Sequence, residues 1–148
     1  MNVENNNFDK RKRINIIIAD DHTIFLEGLT VLISSKYINV VAKCNNGQEV
    51  LDFLKKKEVD LVISDINMPV MEGITLVKKI TKLYPKTKTL MLSMYEEIHI
   101  INKAIKVGAN GYMSKNAGKE GILNAIKSCM KGEKVNFKRQ SKFTHNSI

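Results

Sequence analysis

The stretch LVISDINMPVMEGI, residues 61–74, runs apolar residues up to a lone acid, Asp65, with Asn67, Met68 and Pro69 directly behind it. A buried strand gains nothing from a terminal carboxylate, so either the strand surfaces there or the acid has a function. Runs of the same kind recur on both sides: INIIIAD (14–20), INVVAKC (38–44), DLVISD (60–65), TKTLMLS (87–93) and GYMSK (111–115). The first, third and fourth are almost continuously apolar, as in strands covered on both faces. Between and after the runs, apolar residues repeat with a period near 3.6. Residues 23–35 carry Phe25, Leu29 and Leu32, residues 47–57 carry Val50, Leu51 and Leu54, and residues 72–84 carry Ile74, Val77 and Ile80. Residues 96–107 carry Ile98, Ile101 and Ile105, and residues 118–131 carry Ile122, Ile126 and Cys129 with Met130. Each pattern predicts an amphipathic helix with its stripe against a sheet. Five strand–helix units in alternation predict an α/β fold with a doubly wound, five-stranded parallel sheet.

In such sheets the ligand site lies beyond the carboxyl ends of the strands, where the strand order reverses. Those ends carry Asp20 and Asp21 after the first strand, Asp65 after the third, Ser93 after the fourth and Lys115 after the fifth. Exposure of strand ends accounts for one or two polar residues, but not for three carboxylates converging with a cation among apolar walls. Two like charges about 4 Å apart repel by roughly 4 kcal/mol at an effective dielectric near 20. A divalent cation relieves that repulsion, and oxygen-only ligands favour a hard ion such as Mg²⁺. Mg²⁺ keeps several waters and leaves room for a phosphoryl oxygen. Lys115 is a point charge suited to a phosphoryl group, and the Ser93 hydroxyl can donate to another of its oxygens. The set predicts a carboxylate that attacks phosphorus, with Asp65, at the end of the central strand, as the nucleophile.

Charge and cysteine content narrow the setting. The formal charge of the 148-residue chain is +9, yet residues 14–130 hold 15 Lys and no Arg against 12 acids. Most of the excess therefore lies in the ends: Lys10 to Arg13 in front, and Lys131, Lys134, Lys138, Arg139 and Lys142 behind. Residues 1–13 read as a disordered basic arm and residues 133–148 as a basic tail, suited to solubility or unspecific phosphate attraction rather than sequence-specific binding. Cys44 and Cys129 lie far apart in apolar patterns with no CxxC, which predicts core thiols. No run approaches the eighteen or so apolar residues of a membrane span, and the N-terminus lacks a signal-type segment, so a cytoplasmic location is expected. His22, His99 and His145 have no metal-ligand spacing, although His22 adjoins the acidic site. Met91, Met94, Met113 and Met130 read as core filler. No GxGxxG or GK[ST] occurs, which argues against dinucleotide or NTP binding.

The motifs IIIADDH, LVISDINMPVMEG, LMLS and GYMSK, in this order and spacing, resemble those of the receiver domain of bacterial two-component response regulators. The likeness runs from Ile14 to about Gly132. AIKVGANGYMSK (104–115) together with DDHTIFLEGL (20–29) looks most like the NarL/FixJ-type subfamily, in which the receiver normally precedes a helix-turn-helix DNA-binding domain. The resemblance implies the flavodoxin-like (βα)5 fold for residues 14–132. It implies that Asp65 takes a phosphoryl group from the phosphohistidine of a sensor histidine kinase. Asp21, Asp65 and the backbone carbonyl of Asn67 would hold Mg²⁺, with Asp20 acting through water. Lys115 would pair with the phosphoryl group and Ser93 would move toward it. Tyr112 would change rotamer and so alter the face of the fourth helix, fifth strand and fifth helix, a possible homodimer surface. Departures are Thr23 and Leu26, where the subfamily commonly has Pro and Arg, and Gly118 and Gly121, which weaken the start of the last helix.

Three functions compete. The first is a phosphorylatable receiver that switches protein–protein contacts. The second is the regulatory half of a helix-turn-helix transcription factor, with DNA engaged only through an output domain. EKVNFKRQSKFTHNSI, after Gly132, is too short for such a domain, so the expectation is that it is missing from this chain or that the receiver works by itself. The third is an enzyme with an aspartyl nucleophile, such as a phosphatase. That chemistry commonly places a second acid two residues after the first, and the neutral Asn67 stands there.

Overall fold

The sheet binds together segments that no local interaction could hold alone. In the computed structural model, which describes residues 12–94 and 97–135, the strands are β1 (Ile14–Ala19), β2 (Ile38–Cys44), β3 (Leu61–Asp65), β4 (Lys88–Ser93) and β5 (Gly111–Ser114). They alternate with the helices α1 (Thr23–Ile33), α2 (Gly47–Leu54), α3 (Gly73–Leu83), α4 (Ile98–Val107) and α5 (Lys119–Met130). All strand pairs are parallel, in the order β2-β1-β3-β4-β5. The direction of winding reverses between β1 and β3, which makes their carboxyl ends the switch point. The expected fold class is therefore observed. Residues 1–11 of the basic arm and 136–148 of the tail lie outside the described residues.

Side chains alternate between the two faces of the sheet and divide the core. Ile16, Ile18, Leu61, Ile63, Leu90, Leu92 and Met113 pack with Leu26, Leu29 and Ile33 of α1 and Ile122, Ile126 and Cys129 of α5. On the other face, Ile17, Ala19 and Val62 meet Val50, Leu51 and Leu54 of α2 and Leu76 and Ile80 of α3. A third group joins Met91 and Tyr112 to Val77, Ile101 and Ala104. Cys44 and Cys129 are buried free thiols, as their apolar surroundings suggest.

Several local expectations shift. The buried stripe of α1 is Leu26, Leu29 and Ile33, with Phe25 and Leu32 only at its margin. Both sets have helical spacing, and only the sheet beneath decides which faces it. α2 ends at Leu54, because Lys55, Lys56 and Lys57 offer nothing apolar to bury. Met94 is 59% exposed and so is not core filler, having followed the last residue of β4 out of the sheet. Gly118 serves as the N-cap of α5, and the helix runs on through Gly121 to Met130.

Both ends of the described chain are tied to the domain. Arg13 donates to the carbonyl of Ser35 at 3.3 Å, and Lys12 lies 3.9 Å from Asp60. After α5 the chain turns back so that Val135 forms a parallel bridge with Gly111 and becomes buried against the α5 core. A Cβ on Gly111 would stand 3.0 Å from that of Val135, so a glycine permits the approach. No helix among the described residues is long and apolar enough to cross a membrane.

Candidate functional site

Register brings the acids together. Ala19 of β1 pairs with Ser64 of β3, so Asp20 and Asp65 leave adjacent strands side by side. Asp65 pairs with Leu92 of β4, and Ser93 with Ser114 of β5, which places Lys115 one residue past the same edge. The Lys115 amide donates to the Ser93 carbonyl at 2.9 Å and secures that corner.

Asp20 and Asp65 each have one oxygen committed to the backbone and one facing Lys115. Asp20 Oδ1 accepts from the His22 amide at 2.8 Å, a turn that launches α1, and faces His22 Nδ1 at 3.0 Å. Asp65 Oδ1 accepts from the Ile66 amide at 2.9 Å. Lys115 Nζ stands 2.6 Å from Asp20 Oδ2 and 3.4 Å from Asp65 Oδ2, with a side chain only 7% exposed. Asp20 Oδ2 is buried and, among the described residues, meets no donor at hydrogen-bonding angles, so the ammonium compensates its charge without satisfying it. Burial pushes the Asp65 carboxyl above the ordinary carboxylate range. Lys115 and the Ile66 amide oppose that rise, and the Asp20 charge adds to it.

Asp21 is more open, with 39% of its side chain exposed, and its Oδ1 lies 3.4 Å from His22 Nδ1. Asp20, Asp21, His22 and Asp65 each offer a ligand atom within 4.8 Å of the others. Three carboxylates with an unsatisfied buried oxygen suit a hard divalent cation, since such ions take oxygen donors. Asn67 sits exposed in the loop just after β3. Ser93 is fully buried at the end of β4, and Tyr112 is fully buried in β5 against Ile66, Met91, Ile101 and Ala104. The structure thus gathers Asp20, Asp21, Asp65 and Lys115 at one corner and puts Tyr112 inside the core on β5, the strand that leads to Lys115.

Two further side chains complete this corner, of which the sequence placed only His22 beside it. The His22 ring joins the acidic cluster although no metal-ligand spacing marks it. The Phe25 ring, assigned to the core stripe, lies 4.6 Å from Lys115 Nζ. Its signal was the DDHTIF run, which puts an aromatic on the first turn of a helix starting at the acids.

A family model described as the response regulator receiver domain matches residues 16–127. The chain belongs to the response regulator receiver family. Among curated relatives, the receiver is 37% identical over 123 residues to the transcriptional regulatory protein LnrK of Bacillus subtilis, covering 82% of this chain and 56% of that one. It is 36% identical over 122 residues to the Fimbriae Z protein of Salmonella typhimurium, covering 82% and 58%. The receiver therefore spans a little over half the length of these relatives. Among solved structures it resembles the signal receiver domain of the response regulator NarL from Mycobacterium tuberculosis, with a TM-score of 0.79 at 28% identity, covering 82% of this chain and 99% of that one. The five parallel strands and five helices of the receiver match the flavodoxin-like fold of such structures, and its relatives are regulators of the NarL type rather than classical enzymes.

Proposed function

We propose that this receiver accepts a phosphoryl group on Asp65 from the phosphohistidine of a sensor histidine kinase, and that the modification switches protein–protein contacts. The supporting observation is the Lys115 ammonium held between the buried Asp20 and Asp65 carboxylates at the sheet's switch point. Asp65 Oδ2, the oxygen without a backbone bond, attacks phosphorus. An O–P bond forms as the P–N bond breaks, and its electron pair returns to the imidazole nitrogen of the donor. Burial raises the basicity of Asp65 and so its nucleophilicity, while Lys115 stands ready to pair with the transferred oxygens. Asp21, Asp65 and the Asn67 carbonyl would hold Mg²⁺, with Asp20 contributing through water. The ion supplies charge neutralisation for the incoming phosphoryl oxygens. Ser93 and Lys115 carry the change outward by approaching the phosphoryl group. Tyr112, buried beneath α4, couples the site to the α4-β5-α5 face, a candidate homodimer surface.

In this reading residues 14–132 are the receiver proper, the flanking basic segments are appendages, and the protein works in the cytoplasm. Hydrolysis of the acyl phosphate at Asp65 is its only turnover, for Asn67 leaves no acid–base group for an external substrate. A second reading, the regulatory half of a helix-turn-helix transcription factor, is favoured by the span. The chain covers only 56% of a relative named as a transcriptional regulator, and the RcsB response regulator, 26% identical, was solved as dimers bound to DNA.

The test is incubation with Mg²⁺ and a small acyl-phosphate donor, followed by intact-mass measurement. A gain of one phosphoryl group that disappears in Asp65→Asn supports the assignment. No gain, or a gain that survives in Asp65→Asn, overturns it. Size measurement before and after phosphorylation reads the homodimer separately, and an unchanged size removes that surface from the proposal.

A further inference from the structure

The Lys115 ammonium lies 2.6 Å from Asp20 Oδ2, 3.4 Å from Asp65 Oδ2, and 4.6 Å from the centroid of the Phe25 ring, over its face. The two carboxylates come from the ends of β1 and β3, and the ring from the first turn of α1. A cation over an aromatic face is attracted by the ring quadrupole, most strongly where water is excluded. Only 7% of the Lys115 side chain is exposed, so the contact is a dry one. The ring differs from the carboxylates in one respect that matters here. It attracts the ammonium without accepting its N–H groups in a fixed direction, so those donors stay free to move between oxygens.

Phe25 packs against the core only from its margin. Leu26, Leu29 and Ile33 form the buried stripe of α1, and Phe25 lies half-buried at its edge, toward the acidic corner. The unmodified site pairs Lys115 most closely with Asp20. A phosphoryl group on Asp65 would draw the ammonium away from that partner, and a support common to both positions would keep it in reach throughout.

We propose that Phe25 is a positioning residue for Lys115, which holds the ammonium at the acidic corner through its ring face. The proposal rests on the phosphoryl-accepting reading of the site, and its test separates the two. In wild type, a ring-current upfield shift of the Lys115 ε-methylene protons is expected in the NMR spectrum, retained in Phe25→Tyr and lost in Phe25→Leu. Phosphorylation by a small acyl phosphate should run about two- to thirtyfold slower in Phe25→Leu, the range a cation–π contact commands. Phe25→Tyr should restore the rate. In a Lys115→Met background, Phe25→Leu should change nothing further, since a double-mutant cycle isolates the pair. An equal slowing in both backgrounds, or none where Lys115 is present, overturns the proposal and leaves Phe25 as packing. If Lys115→Met accepts no phosphoryl group, the methylene shift decides alone: its absence in wild type overturns the proposal. A wild-type protein that shows the shift but takes up no phosphoryl group refutes the function of the site, not the contact. Thermal melts of each variant confirm that the fold persists.

Discussion

Gly73 shows how closely one residue can be bound to the chemistry of another. Its amide donates to the Ile66 carbonyl at 2.7 Å, and a Cβ there would overlap the Asp65 carbonyl oxygen and stand 2.9 Å from Ile66 Cα. Backbone cannot yield as a flexible side chain can. Gly73→Ala should therefore destabilise the protein by about 2 kcal/mol, the middle of the range for overpacking, despite the better helix propensity of alanine. Urea unfolding reads the loss, and phosphorylation of the variant should slow as Asp65 is displaced. Asp65 itself carries a pH dependence. Its carboxyl is raised above its ordinary value of 3.8, with burial as the leading cause. A native-state acid raised in this way stabilises the fold while protonated. The contribution is complete below the ordinary value and is lost as pH rises through the raised one. Asp65→Asn removes that loss. In metal-free buffer the variant should melt above wild type at neutral pH, and the gap should close as the pH falls. A gap that stays constant with pH would contradict the burial account. At this scale the candidate acids and Lys115 were legible from their place after apolar runs, because strand ends are marked by composition. The aromatic neighbour of Lys115 was not, since Phe25 satisfies the helical period equally well as core.

Among the elements, the clearest local logic is at the start of α2. Asn46 adopts an extended backbone, and its side chain accepts from the Glu49 amide at 3.0 Å. Glu49 in turn accepts from the Asn45 amide at 2.8 Å. Losing the cap in Asn46→Ala should lower stability by about 1 kcal/mol, read as a lower urea midpoint at unchanged slope. The loop from β3 to α3 follows a different logic. Val70 has φ of 68°, and the Met71 amide donates to the Pro69 carbonyl at 2.7 Å, a three-residue turn centred on Val70. A β-branched residue in that region is strained, and Val70 is 79% exposed, so no packing offsets the strain. Val70→Gly should stabilise the protein by about 1 kcal/mol, after the greater chain entropy of glycine is subtracted. Nothing in MPVMEG announces the turn: Pro69 suggests a bend, but a valine with positive φ is a choice made by the loop's two anchors, β3 and α3.

For the whole molecule, the sheet's two covered faces control the thiols. Burial lifts Cys44 and Cys129 to about 12 from the ordinary 9.0. Both should resist alkylation at pH 8 in the folded protein and react fully once urea unfolds it, as counted by intact mass. The sign at high pH follows from the same shift. Stability contributed by the protonated thiols is complete below pH 9, where the unfolded chain is also protonated, and is lost as pH rises toward 12. Cys44→Ala or Cys129→Ala should flatten the alkaline fall in melting temperature, and an unchanged fall would assign it to other groups.

The sequence alone determined the alternation of five strands with five helices, the parallel sheet that follows from it, and the polar residues that end the strands. Those are local properties: apolar period, run length and the residue that interrupts a run are all readable along the chain. Tertiary structure decided which helix face meets the sheet, so that Leu26 and Ile33 are buried in place of Phe25 and Leu32 as the centre of the stripe. It decided that Val135 folds back on Gly111, and that His22 and Phe25 join the corner where Lys115 lies between Asp20 and Asp65. These depend on strand order and register, which bring residues 20, 65 and 115 within a few ångströms. A pattern along one dimension states what each segment can bury; only the packed sheet states against what.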